Sequence, residues 1–463
     1  MTVAIIVVAV AGLYILRTVA GPVNTIMALA MTTMCFLPKV LYGGTEADLT
    51  RSGIAGSEPR ILTYTVAIAI IAILGVLAGR WLRVNLLLLP FVAFLVICYG
   101  FVWTQTGEVQ AGMVHFLTAA AAWAAGAYAA TCVDKDAKTG RTFVYWILGT
   151  VLLQLGISFL QFAGVPLFPT NAVTSELVGS RINGSFGHPT TLGKVLLLFM
   201  MVCLPFTRSA IRQTRLAAWA AILATFPMFI MSGGRANFFS AVVMILIWTL
   251  LLPRGRALGS KLAIPLVVGI AGFASAGVWV ARFEEDPTGD TRQHFNDVAM
   301  ALIPGNPVAG TGPNTYITTA GPTDALTAQG WPVHNSALLA AVEIGIVGAA
   351  LLFLPLVIAF IVAWRQRRED SSVGDFARAY VASTPGIALV ALTGWGMMSD
   401  TLPLWLFLAA FCFQQQLSSQ LTPSSIWDES HRAKGIDTRW ANRSARLSKS
   451  RGAVRPKGYY VSS

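Results

Sequence analysis

The chain has 463 residues, 55% of them hydrophobic and only 12% charged, with a mean hydropathy of +0.65. Soluble domains carry about 25% charged residues, and polar helix faces are missing from runs such as 61–79 and 86–102, so a large soluble helical protein is excluded. The formal net charge of +12 is spread in a way that reports topology and calls for no nucleic-acid partner.

Apolar runs of about 20 residues, the length that crosses a bilayer, recur along nearly the whole chain. In chain order the expected spans are 2–16, 22–41, 61–79, 85–104, 111–132, 142–164, 189–206, 216–231, 236–252, 262–281, 336–364, 379–398 and 403–420. The expected fold is an all-α polytopic membrane protein of about 12–13 transmembrane helices, with one run allowed to be re-entrant or interfacial. The first run lacks a basic n-region and a clear cleavage site, so it reads as a retained helix, not a signal peptide. Cys35, Cys98, Cys132, Cys203 and Cys412 lie in or beside apolar runs, without metal or disulfide spacing, and read as packing residues.

Alternate loops hold Arg80/Arg83, Lys135/Lys138/Arg141, Arg208/Arg212/Arg215, Arg254/Arg256/Lys261 and Arg365/Arg367/Arg368/Arg378. With Arg17 and the basic tail, that side carries all but eight of the 33 Lys and Arg, which makes it cytoplasmic. The eight exceptions are Lys39, Arg51, Arg60, Arg181, Lys194, Arg235, Arg282 and Arg292. Segments 43–60, 165–188, 232–236 and 282–335 therefore face outward, the last being a large extracytoplasmic loop region between the tenth and eleventh spans. The organisation expected is a membrane domain over 1–420 and a polar, basic, disordered cytoplasmic tail over 421–463 that touches anionic lipid.

Three outward clusters hold groups able to do chemistry. Ser180-Arg181-Ile182-Asn183-Gly184-Ser185-Phe186-Gly187-His188-Pro189 runs into a helix bearing Lys194. Ser232-Gly233-Gly234-Arg235-Ala236-Asn237 is a tight turn opening another helix. The 282–335 loop carries Arg292, a Pro/Gly-rich run over 303–316, and Trp331-Pro332-Val333-His334-Asn335-Ser336 at the next membrane boundary.

A lone cation at a membrane boundary is expensive unless an anion accompanies it. Arginine's planar fork suits phosphate, glycines allow close backbone approach, and a helix N-terminus adds N–H donors. Snorkelling arginines would account for either site alone; two in glycine-bearing turns favour an anion. An imidazole such as His334 can take a proton from a hydroxyl near neutral pH, and Asn335 is placed to cap the following helix.

Glu343 lies nine residues beyond His334, roughly 180° around a straight helix, so the two do not form a direct dyad. Gly345 and Gly348 read as close-packing positions. Asp134-Lys135-Asp136 has the Asp-x-Asp spacing of metal-dependent transferases but sits in a short cytoplasmic loop, and reads as a solvated charged turn. Glu284, Glu285, Asp286, Asp290 and Asp297 solvate the outer loop. Asp400, at an outer turn near Trp395 and Trp405, is either a turn residue or a sugar contact.

Taken together these residues resemble the O-antigen ligase and O-antigen polymerase superfamily of membrane glycosyltransferases. The ligase signature is a His, then Asn, Ser or Gln, nine residues, and GxxG; here His334-Asn335 is followed by Ser336 to Ile344 and then Gly345-Ile346-Val347-Gly348. Asn306-Pro307-Val308-Ala309-Gly310-Thr311-Gly312-Pro313 resembles the family's Pro-x-x-Gly-x-Gly run, Arg181-Ile182-Asn183-Gly184-Ser185-Phe186 its Arg-x-x-Gly-Thr-Phe element, and Gly234-Arg235 its second outward arginine. The likeness covers residues 150–415. Ala349 and Ala350 stand where ligases often carry threonines, so ligase and polymerase both remain open.

The resemblance implies a glycosyltransferase C-type membrane fold and inverting transfer of a glycan. The donor would be an undecaprenyl diphosphate carrier, and the acceptor a hydroxyl on a glycan, lipid or protein at the outer face of the cytoplasmic membrane. It implies His334 as the catalytic residue that orients or deprotonates the acceptor. It assigns Arg181 and Arg235 to the diphosphate, with Arg292 as a further candidate. Asn335, His188, Lys194 and Asp400 remain possible acceptor or sugar contacts, His188 and Lys194 without a family counterpart. No metal and no cofactor is required, because arginines do the neutralising. A polyprenyl-linked glycan flippase is the competing expectation.

Overall fold

The computed structural model describes residues 20–36, 40–42, 54–79, 83–101, 105–168, 181–253, 269 and 290–417. The expected spans at 2–16 and, apart from residue 269, at 262–281, and the tail at 421–463 lie outside the described residues. So do Ser180, Arg17, Lys39, Arg51, Arg80, Arg254, Arg256, Lys261, Arg282, Glu284, Glu285 and Asp286.

In chain order the elements are α1 (Pro22–Cys35), the strands β1 (Val40–Tyr42) and β2 (Ile61–Leu62), α2 (Thr63–Leu77), α3 (Leu89–Tyr99), α4 (Gly107–Thr131) and α5 (Lys138–Phe162). There follow α6 (Pro189–Cys203), α7 (Arg212–Met231), α8 (Arg235–Leu251), α9 (Asp290–Leu302), α10 (Tyr316–Ala320), α11 (Ala325–Ala328), α12 (Ser336–Glu343), α13 (Gly345–Gln366), α14 (Ser372–Leu392) and α15 (Thr401–Leu417). The structure is thus mainly helical, apart from the short antiparallel pair β1–β2. Five helical segments are long and apolar enough to cross a membrane: Gly107–Thr131, Lys138–Phe162, Pro189–Arg208, Arg212–Met231 and Gly345–Gln366. Four shorter apolar helices accompany them, at Pro22–Cys35, Thr63–Leu77, Val84–Tyr99 and Arg235–Leu251.

Which faces are buried follows from residue size. In α6 every residue from Leu192 to Cys203 is buried, and α15 is buried from Thr401 to Gln416, so these two helices form the centre. Alanine-rich α4 lies against α15 so closely that a Cβ at Gly126 would collide with the Phe407 carbonyl. Small residues bring α8 onto α14 in the same way, where Ser240 Oγ donates to the Gly386 carbonyl at 2.9 Å. Large apolar side chains point outward instead on α5 (Leu152, Leu153, Phe159, Phe162) and α13 (Leu354, Val357, Ile361). Such faces suit hydrocarbon, not water.

One end of the bundle is closed by an ionic cluster under an aromatic layer. Phe143 stacks on Phe411 at 4.4 Å and on Phe206 at 5.5 Å, with Phe376 edge-on to Phe411 and Phe206. Next to these rings Asp375 receives Lys135 at 2.5 Å, Arg208 at 2.9 Å and Arg378 at 2.6 Å. This corrects one member of the expected solvated turn: Asp134 and Asp136 are exposed, but Lys135 is only 4% exposed. The apolar count missed it because α14 starts at Ser372, capped by Ser371 Oγ on the Gly374 amide, and carries its charges into the helix.

The expected single helix over 336–364 is also corrected. It breaks between α12 and α13 at Gly345, whose φ is +70°. The expected open loop before it is folded: from residue 290 onward it contains α9, α10 and α11.

Candidate active site

The end opposite the ionic cluster gathers the candidate residues. Residues 181–187 are held by two glutamines of α5 that lie two turns apart on one face. Gln161 Nε2 donates to Asn183 Oδ1 and the Gly184 carbonyl, both at 2.8 Å, and its Oε1 accepts from the Gly184 amide at 2.9 Å. Gln154, fully buried, accepts from the Ser185 amide at 3.0 Å and donates to Ser185 Oγ at 2.5 Å. Ser185 Oγ in turn donates to the Cys35 carbonyl. Gly184 adopts φ +62°, and a Cβ there would lie 2.5 Å from Gln154 Oε1, so the turn needs glycine.

This scaffold delivers Arg181 to the second cluster. Arg181 Nε donates to the Ser232 carbonyl at 2.8 Å, and the Ile182 amide donates to the Met231 carbonyl at 3.4 Å. Gly233, at φ +63°, lets the arginine lie across the turn; a Cβ there would be 3.1 Å from Arg181 Nε. Arg235 is the first residue of α8. The helix entries of α6 and α8 are tied by Asn237 Nδ2, which donates to the Thr190 carbonyl at 3.2 Å over the bare face of Gly193. The structure therefore brings the first two sequence clusters together as one unit.

His188 caps α6, its Nδ1 accepting from the Thr190 amide at 3.1 Å. Lys194 lies further down the same helix, 5% exposed, with its ammonium against Gly396.

The third cluster is anchored by the 307–316 loop. The Thr311 and Gly312 amides donate to the carbonyls of Val342 and Glu343 at 2.8 and 2.9 Å, and the Ile346 amide donates to the Pro307 carbonyl at 2.8 Å. The carbonyls and amide freed by the helix break are thus satisfied by the Pro-x-x-Gly-x-Gly run itself. Gly345 both breaks the helix and lets the loop backbone at Val308 approach closely; Gly348 packs, with Phe94 against it. Glu343 is fully buried, and its Oε1 accepts from the Tyr316 amide at 3.4 Å, on the loop side and away from a dyad with His334. Asn314, at φ +65°, binds the Ala55 amide through Oδ1 (2.9 Å) and the Gly56 carbonyl through Nδ2 (2.6 Å), joining the 54–60 segment to the loop.

His334 stands half-buried where this unit meets α9. Its ring is stacked with Phe295 at 5.4 Å and Trp331 at 6.3 Å, and its Nδ1 is without a hydrogen-bond partner. Asn335 caps α12 as expected, Oδ1 accepting from Ala337 and Leu338 amides at 3.0 and 3.2 Å, which commits its acceptor oxygen. Ser336 Oγ donates to the Gly394 carbonyl at 2.7 Å, so the segment carrying Gly396 is fixed to the His334 unit.

The electrostatics link the clusters. Burial, and then the charge of Arg292, holds His334 down to about 4, with the Pro332 carbonyl opposing and Lys194 adding to the depression. His188 is held to about 3 by burial and by the charges of Lys194, Arg181 and His334. Both imidazoles are therefore neutral at neutral pH in a positively charged surrounding. Arg292 itself is exposed on α9.

Asp400 lies in a different cluster: Tyr64 Oη donates to it at 3.2 Å, beside Arg60 and His115 around a cavity of about 20 Å³. Asp324, which the sequence did not single out, binds His294 at 2.7 Å and caps α11. Among the described residues no group of three or more His, Cys, Asp or Glu side chains is arranged to hold a metal ion. No protein-family model and no curated protein matches the chain. The functional reading rests on the residues themselves.

Proposed function

We propose that the protein is a metal-independent, inverting membrane glycosyltransferase of the O-antigen ligase or polymerase type. It moves a glycan from a polyprenyl (undecaprenyl) diphosphate carrier to an acceptor hydroxyl at the outer face of the cytoplasmic membrane. The reading includes a glycosyltransferase C-type bundle of about 12–13 spans, oriented by the basic loops, with the ionic Asp375 end cytoplasmic.

The observation that carries it is the joining of Arg181 to the Ser232–Gly233 turn that opens the Arg235 helix. Arg181 is fixed at the turn from which the Arg235 helix starts, and two arginines at one helix entry suit an anion with several oxygens. His334 offers an unpartnered Nδ1 at the same end of the bundle.

In the proposed step the acceptor hydroxyl gives its proton to the neutral His334 imidazole as its oxygen bonds to the anomeric carbon. The bond from that carbon to the diphosphate oxygen breaks, and the electron pair leaves with the diphosphate, where Arg181 and Arg235 meet the charge. The donor's own negative charge offsets the cations that depress His334, so the imidazole becomes a better base once the donor is bound.

The test is transfer from a synthetic undecaprenyl diphosphate glycan by purified protein in nanodiscs, with the product's anomeric configuration read by NMR. Inverted product formed equally with and without a chelator is expected. Carrier translocation without transfer would identify a flippase, and activity lost to chelator and restored by Mg²⁺ would overturn the metal-independent step. A ladder of repeat units would mark a polymerase and a single addition a ligase.

A further inference from the structure

Lys194 has no place in the transfer step above, yet it is a deeply buried cation. It sits in the opening turns of α6, a helix whose following residues are Val, Leu, Leu, Leu and Phe, and it is 5% exposed. Among the described residues no carboxylate and no hydrogen-bond acceptor engages its ammonium; its electrostatic neighbours are His188 and His334. Lys135 shows how this chain handles a structural lysine: equally buried at 4%, it is matched to Asp375 at 2.5 Å. A buried ammonium without a counter-charge is costly and persists where a ligand supplies one.

Its surroundings are kept clear on one side by a glycine. A Cβ at Gly396 would collide with Lys194 Nζ. Gly396 belongs to the segment that Ser336 fixes to the His334 unit through the Gly394 carbonyl. The ammonium thus lies against the segment tied to the His334 unit, and its charge acts on His188, as that of Arg181 does.

We infer that Lys194 is a third binding residue for the carrier's diphosphate, reaching it from within the bundle, and that Gly396 is the position that leaves it room. The inference rests on the transfer reading and adds to it a contact supplied by a helix interior. An ammonium there favours a diphosphate over a monophosphate, because Arg181 and Arg235 already match one phosphate group.

The experiment measures binding of undecaprenyl diphosphate and undecaprenyl monophosphate to full-length protein in phosphatidylcholine nanodiscs. For Lys194→Met, diphosphate affinity should fall about ten- to a hundredfold, the range of a charge-assisted contact, and monophosphate affinity less. Gly396→Ala should weaken the diphosphate in the same direction by displacing the ammonium. Without ligand, Lys194→Met should melt at or above the parent's temperature, since an unmatched buried charge is removed; a structural lysine would give a lower value. Should Lys194→Met fail to fold, the proposal is overturned, because a ligand-binding lysine is not needed for folding. If both variants bind the diphosphate as the parent does, Lys194 is not a ligand contact and the transfer reading stands. If the parent binds no polyprenyl diphosphate, the transfer reading fails and this inference with it.

Discussion

Gly310 and Gly345 face each other across the junction of the two sequence motifs. A Cβ at Gly310 would collide with the Gly345 amide nitrogen and lie 2.5 Å from the Val342 carbonyl; a Cβ at Gly345 would collide with the Val308 carbonyl. Both have positive φ, +74° and +70°. The break that ends α12 and positions His334 exists because the loop docks where the helix would have continued.

Gly310→Ala and Gly345→Ala are therefore each expected to destabilise by more than about 2 kcal/mol, combining backbone strain with a backbone collision. The double variant should cost less than the sum, since both disrupt one junction. Thermal unfolding in detergent measures this, and additive effects would separate the two glycines.

Gln154→Leu and Gln161→Leu each leave buried main-chain groups of the 183–185 turn unpaired, at about 1–3 kcal/mol. Their expected effect on catalysis is a raised KM for donor, because they support Arg181 without touching the reacting atoms. Steady-state kinetics with donor varied checks this; unchanged KM would mean that the turn is held by other contacts.

The depressed imidazoles set a pH dependence. Unfolded histidines titrate near pH ~6.5, whereas His334 and His188 are held to about 4 and about 3 in the fold. The unfolded chain thus binds more protons below that point, so stability falls as pH drops from about 6.5 toward 4. His334→Gln and His188→Gln should flatten the melting-temperature profile in that window. Catalysis gives a second reading: donor charge raises His334, so the acidic limb of kcat should lie at higher pH than that of kcat/KM.

Asp375→Ala strips three buried or half-buried cations of one carboxylate, and breaking such a cluster costs about 3–5 kcal/mol. Donor KM of the surviving folded protein should be unchanged, since the cluster lies at the end away from Arg181. A shifted KM would show that the two ends communicate.

Much of this arrangement is legible in the sequence. The glycines of 233–234 and the Asn335 cap follow from local backbone chemistry, and hydropathy finds α4, α5, α6, α7 and α13 as long apolar runs. Hydropathy does not find what depends on distant partners. Lys135 reads as a solvent charge because its carboxylate, Asp375, lies in another segment. The break at Gly345 is invisible in an apolar run, since a loop from residue 307 onward imposes it. Gln154 and Gln161 carried the one available signal for the 181–187 loop, two amides a heptad apart in a lipid-length span, whose partners only the fold supplies.

The central claim is that His334 takes the acceptor's proton at a site where arginines hold the leaving diphosphate. The direct measurement is single-turnover transfer from an undecaprenyl diphosphate glycan by the parent and by His334→Ala, at matched folded protein and saturating donor. The account predicts a rate about 10²–10⁴-fold lower for His334→Ala, the range of general-base catalysis, with donor binding retained. Transfer by His334→Ala at the parent's rate would contradict it.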